Sequence, residues 1–182
     1  MSCEAIEVDI NLCHKENDAK PIGTGVDSSV YRLGNFVVKN YTVFSEGNAP
    51  FRLGMKNLDD YFELTNLASS ISYDRPFRLH FPLSKVDYPL LINPLIKMEK
   101  CDFCGEIEGV SSFIEGATLE SSMEFDQKEL KIAFRDMNFF LEEKLGFYGI
   151  NIIPLNVKKL EGGKLIVTDL CADICMLRKK VS

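Results

Sequence analysis

The sequence lacks the features that mark several large classes of protein. Its 182 residues carry a net charge of −6 at pH 7, so no positive excess points to nucleic acid or an anionic membrane. The most apolar stretch, residues 88–96, is too short to span a bilayer and contains two prolines. The acidic first ten residues do not have the pattern of a Sec-type signal. The two histidines, His14 and His80, fall in no motif, which predicts surface or turn positions rather than a catalytic base.

Cysteine is present but forms no regular framework. Six cysteines at irregular spacing in a chain of this size favour reduced thiols over a disulfide scaffold. Cys101-Asp-Phe-Cys104 has the spacing of a zinc knuckle or a redox pair, and Cys171 with Cys175 could form a second pair on a helix. One such motif without a matching partner is a weak signal. The prediction is therefore four ordinary thiols and no bound zinc.

Hydrophobic patterning predicts an α+β fold. Leu64, Leu67, Ala68 and Ile71 recur at helical spacing, whereas β-rich runs around pairs of turn formers are typical of hairpins. The predicted elements are a hairpin within 20–41, a helix over 57–72, an irregular segment over 73–94, a hairpin between 95–99 and 110–115, a helix over 126–144, and a terminal hairpin between 156–160 and 164–169.

A glycine-rich segment connects the first two predicted strands. Gly23-Thr-Gly25 and the following Ser28-Ser-Val30 lie between strands, whereas Rossmann and Walker loops lead into a helix. Glycines let the backbone approach a ligand closely, so that its N–H groups can face anionic oxygens. The segment predicts either a phosphate-covering turn built from Gly23, Gly25, Ser28 and Val30, or an ordinary hairpin turn with two glycines.

Lys39 ends the β-branched run that follows. Protein kinases place a lysine in such a strand to hold the α- and β-phosphates of ATP, paired with a glutamate on the next helix. Glu63, on the predicted helix over 57–72, is the candidate partner. The alternative is that Lys39 is a solvated residue of an edge strand.

From Ile22 to Ile174 the chain resembles a protein-kinase-like fold. The stretch Gly149-Ile-Asn-Ile-Ile-Pro-Leu-Asn156 is similar to the family's catalytic loop, H-R-D-L-x-x-x-N, and Thr168-Asp-Leu-Cys171 to its D-F-G element. The resemblance implies that Asn156 and Asp169 bind the Mg²⁺ ions that bridge the phosphates of ATP.

The same resemblance assigns the adenine end of the site and the lobes. The backbone from Phe113 to Glu115 is similar to the hinge that hydrogen-bonds the adenine edge. Residues 1–118 would form a β-rich small lobe with one helix, with 1–18 as a flexible tail. Residues 119–182 would form a strongly reduced C-terminal lobe, in which the helix over 126–144 lies beneath the catalytic loop.

Three positions depart from the family pattern. Ser28 replaces the third loop glycine, and Asp-Leu-Cys replaces D-F-G. Asn151 stands where the catalytic aspartate is expected. An amide can hydrogen-bond a substrate hydroxyl but cannot accept its proton, and a general base contributes about 10²–10⁴-fold to the rate. The chain is therefore either a weak or inactive relative, or a kinase inactivated by an aspartate-to-asparagine change.

The resemblance implies an ATP- and Mg²⁺-dependent Ser/Thr protein kinase. Because the sequence ends thirteen residues after Asp169, it resembles the minimal kinases that bacteria inject into host cells. Within that group it resembles the type III effector family that phosphorylates the host's ninety-kilodalton heat-shock chaperone. A host protein would be the partner, with no nucleic acid or membrane, and the protein would act in the host or bacterial cytoplasm. The alternatives are a pseudokinase that binds ATP as a scaffold, or a small-molecule phosphotransferase.

Overall fold

The computed structural model describes residues 19–24, 28–41, 55–100, 107–121, 125–171 and 173–180. Its helices are α1 (Met55–Asp74) and α2 (Gln127–Leu145). The strands are β1 (Lys20–Thr24), β2 (Ser28–Leu33), β3 (Phe36–Tyr41), β4 (Phe77–Phe81), β5 (Val86–Ile92), β6 (Leu95–Lys100), β7 (Ile107–Ser112), β8 (Phe147–Tyr148), β9 (Val157–Lys159), β10 (Leu165–Val167) and β11 (Arg178–Lys179).

The first sheet has the strand order β1-β2-β3-β7-β6 and is antiparallel throughout. The predicted hairpin turn between β2 and β3 is confirmed, with Gly34 at a positive φ of 57° that suits glycine. The predicted β6–β7 hairpin is also present, although β7 begins at Ile107 rather than Val110. Its connection, with Cys101 and Cys104, lies outside the described residues, so the zinc prediction stays a prediction.

The segment over 73–94 was predicted to be irregular, and this prediction is wrong. After the end of α1 it forms the β4–β5 hairpin, in which β4 alternates strictly between buried and exposed residues. The prolines concealed this pattern. Pro89 is tolerated inside β5 because β10 pairs only with residues 90–92, so Pro89 precedes the part of β5 that has a neighbour on both sides.

The second sheet has the order β4-β5-β10-β9, with β10 parallel to β5 and antiparallel to β9. All three residues of β10 are buried, as expected for a strand with neighbours on both edges. Because β5 lies before residue 118 and β10 after it, this sheet joins the two predicted lobes. A short third sheet pairs β8 with β11.

Both predicted helices are present. Asp126 caps α2 by accepting hydrogen bonds from the backbone N–H groups of Lys128 (2.9 Å) and Glu129 (3.0 Å), and Gly146 ends the helix in the left-handed region. One face of α2 is buried, with Leu130, Phe134, Met137, Leu141 and Leu145 along it. The stripe of α1 differs from the prediction, because Leu67 is 41% exposed while the buried apolar side chains are Leu58, Tyr61, Leu64 and Ala68.

One apolar core joins the helices to the second sheet and to the inner face of the first. A small second cluster, centred on Val38 and Val110, covers the outer face of the first sheet. The result is a mixed α/β architecture of β-rich sheets and two helices, compatible with a reduced kinase-like fold. Within the described residues, neither helix is long and apolar enough to cross a membrane.

Candidate functional site

A cleft of about 680 Å³ opens between the first sheet and the β9–β10 hairpin. This volume is in the range of sites that bind small molecules and cofactors. Its lining comes from β1, β2, β3, the end of β7, the β5–β6 connection, β9 and the segments just before β9 and just after β10. The lining residues are Ile22, Gly23, Thr24, Ser28, Val30, Val37, Lys39, Asn93, Ser111, Ser112, Phe113, Ile114, Ile153, Leu155, Asn156, Lys158, Thr168 and Asp169.

The glycine-rich hairpin forms one wall of this cleft. Gly23 on β1 pairs with Val30 on β2, and the pairing register shifts between Pro21 and Gly23. A Cβ atom built on Gly23 would meet nothing within 4 Å, so the space above this backbone is open to a ligand. Ser28 also lines the cleft, whereas Gly25 lies outside the described residues.

Lys39 reaches the cleft because of the two-residue period of β3. Val37 and Lys39 line the cleft, while Val38 between them is buried on the opposite face. The Lys39 ammonium lies 2.5 Å from the Asp169 carboxylate, and the two side chains are only 11% and 21% exposed. The alternative prediction of a solvated edge lysine is therefore wrong.

The β9–β10 hairpin sets the position of the two predicted metal ligands. Its register pairs Val157 with Val167, so Asn156 and Thr168 face each other at its end. The backbone N–H of Thr168 donates to the carbonyl of Asn156 at 2.8 Å, and the Thr168 hydroxyl donates to the same oxygen at 3.1 Å. Asp169 is the next residue. The hairpin therefore presents the Asn156 amide and the Asp169 carboxylate at one end of the cleft.

The predicted partnership of Lys39 with Glu63 is wrong. Glu63 is exposed and pairs instead with Lys179 at 2.6 Å. The residue that reaches the site is Tyr61, whose hydroxyl donates to Asp169 Oδ1 at 2.7 Å. Two residues along an α-helix rotate a side chain by about 200°, so Tyr61 faces the cleft while Glu63 faces away.

Tyr61 was missed by sequence reasoning, although a signal was available. It precedes Leu64 by three residues and Ala68 by seven, so it lies on the apolar stripe of α1. Its side chain is 1% exposed. Burial, and then the negative charge of Asp169, raise the pKa of Tyr61 well above its ordinary value, so the phenol is neutral and donates its proton.

Hydrogen bonds engage both oxygens of the Asp169 carboxylate. Oδ1 accepts from the Tyr61 hydroxyl and from the backbone N–H of Cys171 at 3.2 Å, while Oδ2 accepts from Lys39. Cys171 itself is buried, and burial followed by the charge of Asp169 raises the pKa of its thiol. Asp169 thus connects the first sheet, α1 and the chain after β10 in one polar cluster.

At the opposite end, the predicted hinge is partly occupied by protein groups. Phe113 lines the cleft, but its backbone N–H donates to the carbonyl of Asn35 at 2.8 Å. The carbonyl of Ser112 accepts from the Asn93 side chain at 2.9 Å. The carbonyl of Ile114 accepts from Lys158. The Phe113 N–H and the two carbonyls therefore have protein partners.

The side chains of this end carry positive charge. The guanidinium of Arg32 lies 3.8 Å from the centre of the Phe113 ring, and the Lys158 ammonium lies 5.1 Å from it. Burial lowers the pKa of Lys158, the carboxylate of Glu115 opposes that shift, and Arg32 adds to it. The prediction for Glu115 concerned its backbone; its side chain is 81% exposed, does not line the cleft, and pairs with Arg32 at 3.5 Å.

Asn151 lies beside the cleft and not in its lining. Its backbone N–H donates to the carbonyl of Leu170 at 3.0 Å, and it forms a parallel bridge with Cys171. Its side chain is exposed and borders a separate groove along α2. The structure therefore places Asn151 next to the chain that carries Asp169 without bringing it into contact with Lys39.

The chemistry of the lining fits a magnesium nucleotide. Lys39 supplies a cation for phosphate oxygens, and Asp169 and Asn156 supply oxygen atoms of the kind Mg²⁺ prefers. Among the described residues no group of three or more acidic, histidine or cysteine side chains forms a self-sufficient metal site. Magnesium here would need phosphate oxygens and water to complete its coordination, as is usual for this ion.

No protein-family model and no curated protein matches the sequence. Among solved structures, the chain is similar to WbdD in a co-crystal with the kinase inhibitor LY294002, with 14% identity and a TM-score of 0.39. It is similar at the same identity to WbdD in a crystal structure at 2.2 Å, with a TM-score of 0.40. Each alignment covers 86% of this chain and 32% of WbdD, so the chain spans about a third of that protein's length. A likeness of this level assigns neither activity nor substrate, and the predicted effector family stays a prediction.

Proposed function

We propose that this protein binds Mg·ATP in the cleft and acts as a Ser/Thr protein kinase. The observation that carries the proposal is the Lys39–Asp169 pair under the glycine-rich hairpin. A lysine from the third strand and an aspartate just after a terminal hairpin, 130 positions apart in sequence, meet at 2.5 Å inside a ligand-sized cleft. This combination is the one that phosphoryl transfer uses to hold phosphates and metal.

In this proposal four of the residues that line the cleft have definite roles. Lys39 holds the phosphates, and Asp169 with Asn156 holds Mg²⁺, which would neutralise the charge that develops on the transferred group. Lys39 and Asp169 already contact each other. When a nucleotide binds, Lys39 must therefore also contact phosphate oxygens and Asp169 must also contact the metal. Gly23 leaves room for phosphate beneath the hairpin.

The first test is nucleotide affinity measured by calorimetry with Mg·ATP. We expect Lys39→Ala and Asp169→Ala each to weaken binding by tenfold or more, because each removes a charge that contacts phosphate or metal. The control is Lys164→Ala, an exposed lysine outside the cleft lining. Wild-type affinity in both cleft variants would contradict the assignment of the site.

The second test is transfer of label from radiolabelled Mg·ATP to protein. We expect Asn151→Asp to transfer label faster than the chain with Asn151, by up to the factor of about 10²–10⁴ that a general base contributes. The double variant with Asp169→Ala serves as the control and should transfer none. Equal rates with and without the aspartate would show that position 151 does not act as the base.

A second candidate function is a pseudokinase that binds a nucleotide or a partner without transfer. The observation in its favour is that the Asp169 carboxylate already accepts three hydrogen bonds, from Tyr61, Cys171 and Lys39. Nucleotide binding without label transfer in any variant would support this alternative.

The identity of the partner stays a prediction. The resemblance to injected bacterial kinases favours a host protein substrate, and the ninety-kilodalton heat-shock chaperone is the first to test. Mixing the purified chaperone with the Asn151→Asp variant and labelled Mg·ATP would decide this point by the presence or absence of labelled chaperone.

A further inference from the structure

A second groove, of about 440 Å³, lies away from the cleft and shares no lining residue with it. It is formed by the C-terminal end of α1, the following turn, β4 and one face of α2. The lining residues are Ile71, Arg75, Pro76, Phe77, Arg78, His80, Ala133, Asp136, Met137, Phe140 and Lys144. We name it the α2–β4 groove.

The floor of the α2–β4 groove is apolar and well ordered by packing. Phe77, Ala133 and Met137 are buried in the core beneath it. Phe140 stands above them, 47% exposed, with its ring edge-to-face with Phe77 at a centroid distance of 6.3 Å. Exposed aromatic surface beside a concave apolar floor is typical of sites that receive an apolar side chain from a partner.

The rim of the groove is positively charged. Arg75, Arg78 and Lys144 are all exposed, and none of them forms an ion pair within the described part of the chain. Lys144 lies 5.8 Å from the centre of the Phe140 ring. Three cations around one apolar pocket contrast with the overall charge of −6, so the rim is a local reversal of the protein's charge.

The remaining ionisable groups of the rim are already engaged. Asp136, a carboxylate in the lining, lies 2.8 Å from the guanidinium of its neighbour Arg135. His80 lies 2.8 Å from Asp87. Neither of these pairs involves Arg75, Arg78 or Lys144, so the lining offers three cations against the single carboxylate of Asp136.

We propose that the α2–β4 groove docks an acidic peptide segment that carries one aromatic or large aliphatic anchor residue. The anchor packs on Met137 and Phe140, while flanking carboxylates pair with the three rim cations. The volume suits one large side chain with its flanks, and the scattered cations around an apolar floor favour a peptide over the long charged stripe that nucleic acid requires. This docking site is independent of the proposed nucleotide site.

The test begins with selection from a display library of random twelve-residue peptides on the full chain at low salt. We expect enrichment of sequences that combine Asp and Glu with Phe, Leu, Ile or Met. The dissociation constant of the most enriched peptide is then measured by fluorescence anisotropy. Enrichment of neutral or basic peptides, or no enrichment at all, would overturn the proposal.

Matched variants locate the binding on the protein. Arg78→Glu and Phe140→Ser should each raise the dissociation constant by about tenfold or more, because they remove a rim charge and the aromatic wall. Their controls are Lys164→Glu, a charge reversal elsewhere, and Phe139→Ser, an exposed neighbour on α2 outside the groove. Equal weakening in the controls, or none in the groove variants, would also overturn the proposal.

The affinity for the peptide should fall as the salt concentration rises, because salt screens the exposed ion pairs between the peptide's carboxylates and the rim cations. Replacing the peptide's anchor by Ala should weaken binding, and replacing its acidic residues by phosphoserine tests whether phosphate is the preferred anion. Peptide binding that is unchanged in the Lys39→Ala variant separates this proposal from the nucleotide site. Loss of Mg·ATP binding would therefore leave the docking proposal intact.

Discussion

The Tyr61→Phe substitution tests the polar cluster around Asp169 with the least disturbance of packing. It removes one hydroxyl from a buried ring and leaves the ring in place. The lost hydrogen bond, 2.7 Å from Tyr61 to Asp169, is made to a charged acceptor. Such bonds contribute about 1.5–3 kcal/mol net, and because Asp169 keeps Lys39 and Cys171 as donors we expect the lower end, about 1.5 kcal/mol.

The assay is urea unfolding followed by far-ultraviolet circular dichroism, since the chain has no tryptophan for fluorescence. For a domain of this size 1 kcal/mol corresponds to about 2–4 °C in melting temperature, so a parallel thermal melt should show a loss of about 3–6 °C. The control is Tyr73→Phe on the same helix, because Tyr73 is 56% exposed and should change stability by less than about 0.5 kcal/mol.

The same variant makes a prediction about pH. Burial and the charge of Asp169 raise the pKa of Tyr61 in the folded protein, while in the unfolded chain the phenol ionises near its ordinary value of about 10. The stabilisation from the neutral phenol is therefore fully present below pH 10 and is lost as pH rises above it. The gap in stability between wild type and Tyr61→Phe should therefore narrow as the pH rises from about 10 to about 11. A gap that stays constant from pH 8 to pH 11 would refute the reasoning.

Three further predictions follow from other parts of the fold. Asp169→Asn leaves the largely buried Lys39 ammonium without its carboxylate and should lower the free energy of unfolding by about 2–3 kcal/mol, less than for a fully buried pair because both groups keep some exposure. Adding Lys39→Met should recover part of this loss in urea unfolding. An Asp169→Asn variant as stable as wild type would contradict the burial argument. Gly149→Ala should lower the free energy of unfolding by well over 2 kcal/mol, because its φ is 85° and a Cβ would overlap the backbone of the 3-10 turn before β11. Gly162→Ala, at a φ of 80° with open space, should lower it by only about 1–2 kcal/mol. Equal losses would show that the overlap at position 149 is relieved. Iodoacetamide at about pH 8.5 should leave Cys171 unmodified in the folded protein and label it in urea, because the thiol is buried and its pKa is raised; rapid labelling of the native state, detected by peptide mass spectrometry, would mean that the thiol is accessible.

Much of the architecture could be predicted because its signals are local. The α2 helix follows from an apolar stripe between an Asp cap and a Gly stop, and the hairpin turns follow from Gly34–Asn35 and Gly162–Gly163. The segment over 73–94 was wrongly predicted to be irregular for the same reason, since its prolines are local signals that oppose strands. Its pairing with β10, more than seventy positions away, outweighs them.

The candidate site divides in the same way. Lys39 was singled out by its β-branched strand, whereas Asn156 and Asp169 were predicted from the resemblance to the kinase catalytic loop and D-F-G element. Glu63 on α1 was predicted by analogy to pair with Lys39, whereas Lys39 pairs with Asp169 and the rotation of α1 brings Tyr61 to that carboxylate.

By itself the sequence determined the secondary structure with strong periodicity, the turn positions, and the cation and carboxylate of the cleft. The tertiary structure alone decided that Lys39 pairs directly with Asp169, that Lys158 and Asn93 donate to the carbonyls of Ile114 and Ser112, and that cations gather around the α2–β4 groove. The physical reason is the distance along the sequence over which each kind of interaction acts. Periodicity and turn chemistry act over a few residues, whereas these contacts depend on how two sheets and two helices rotate against one another when the common core closes.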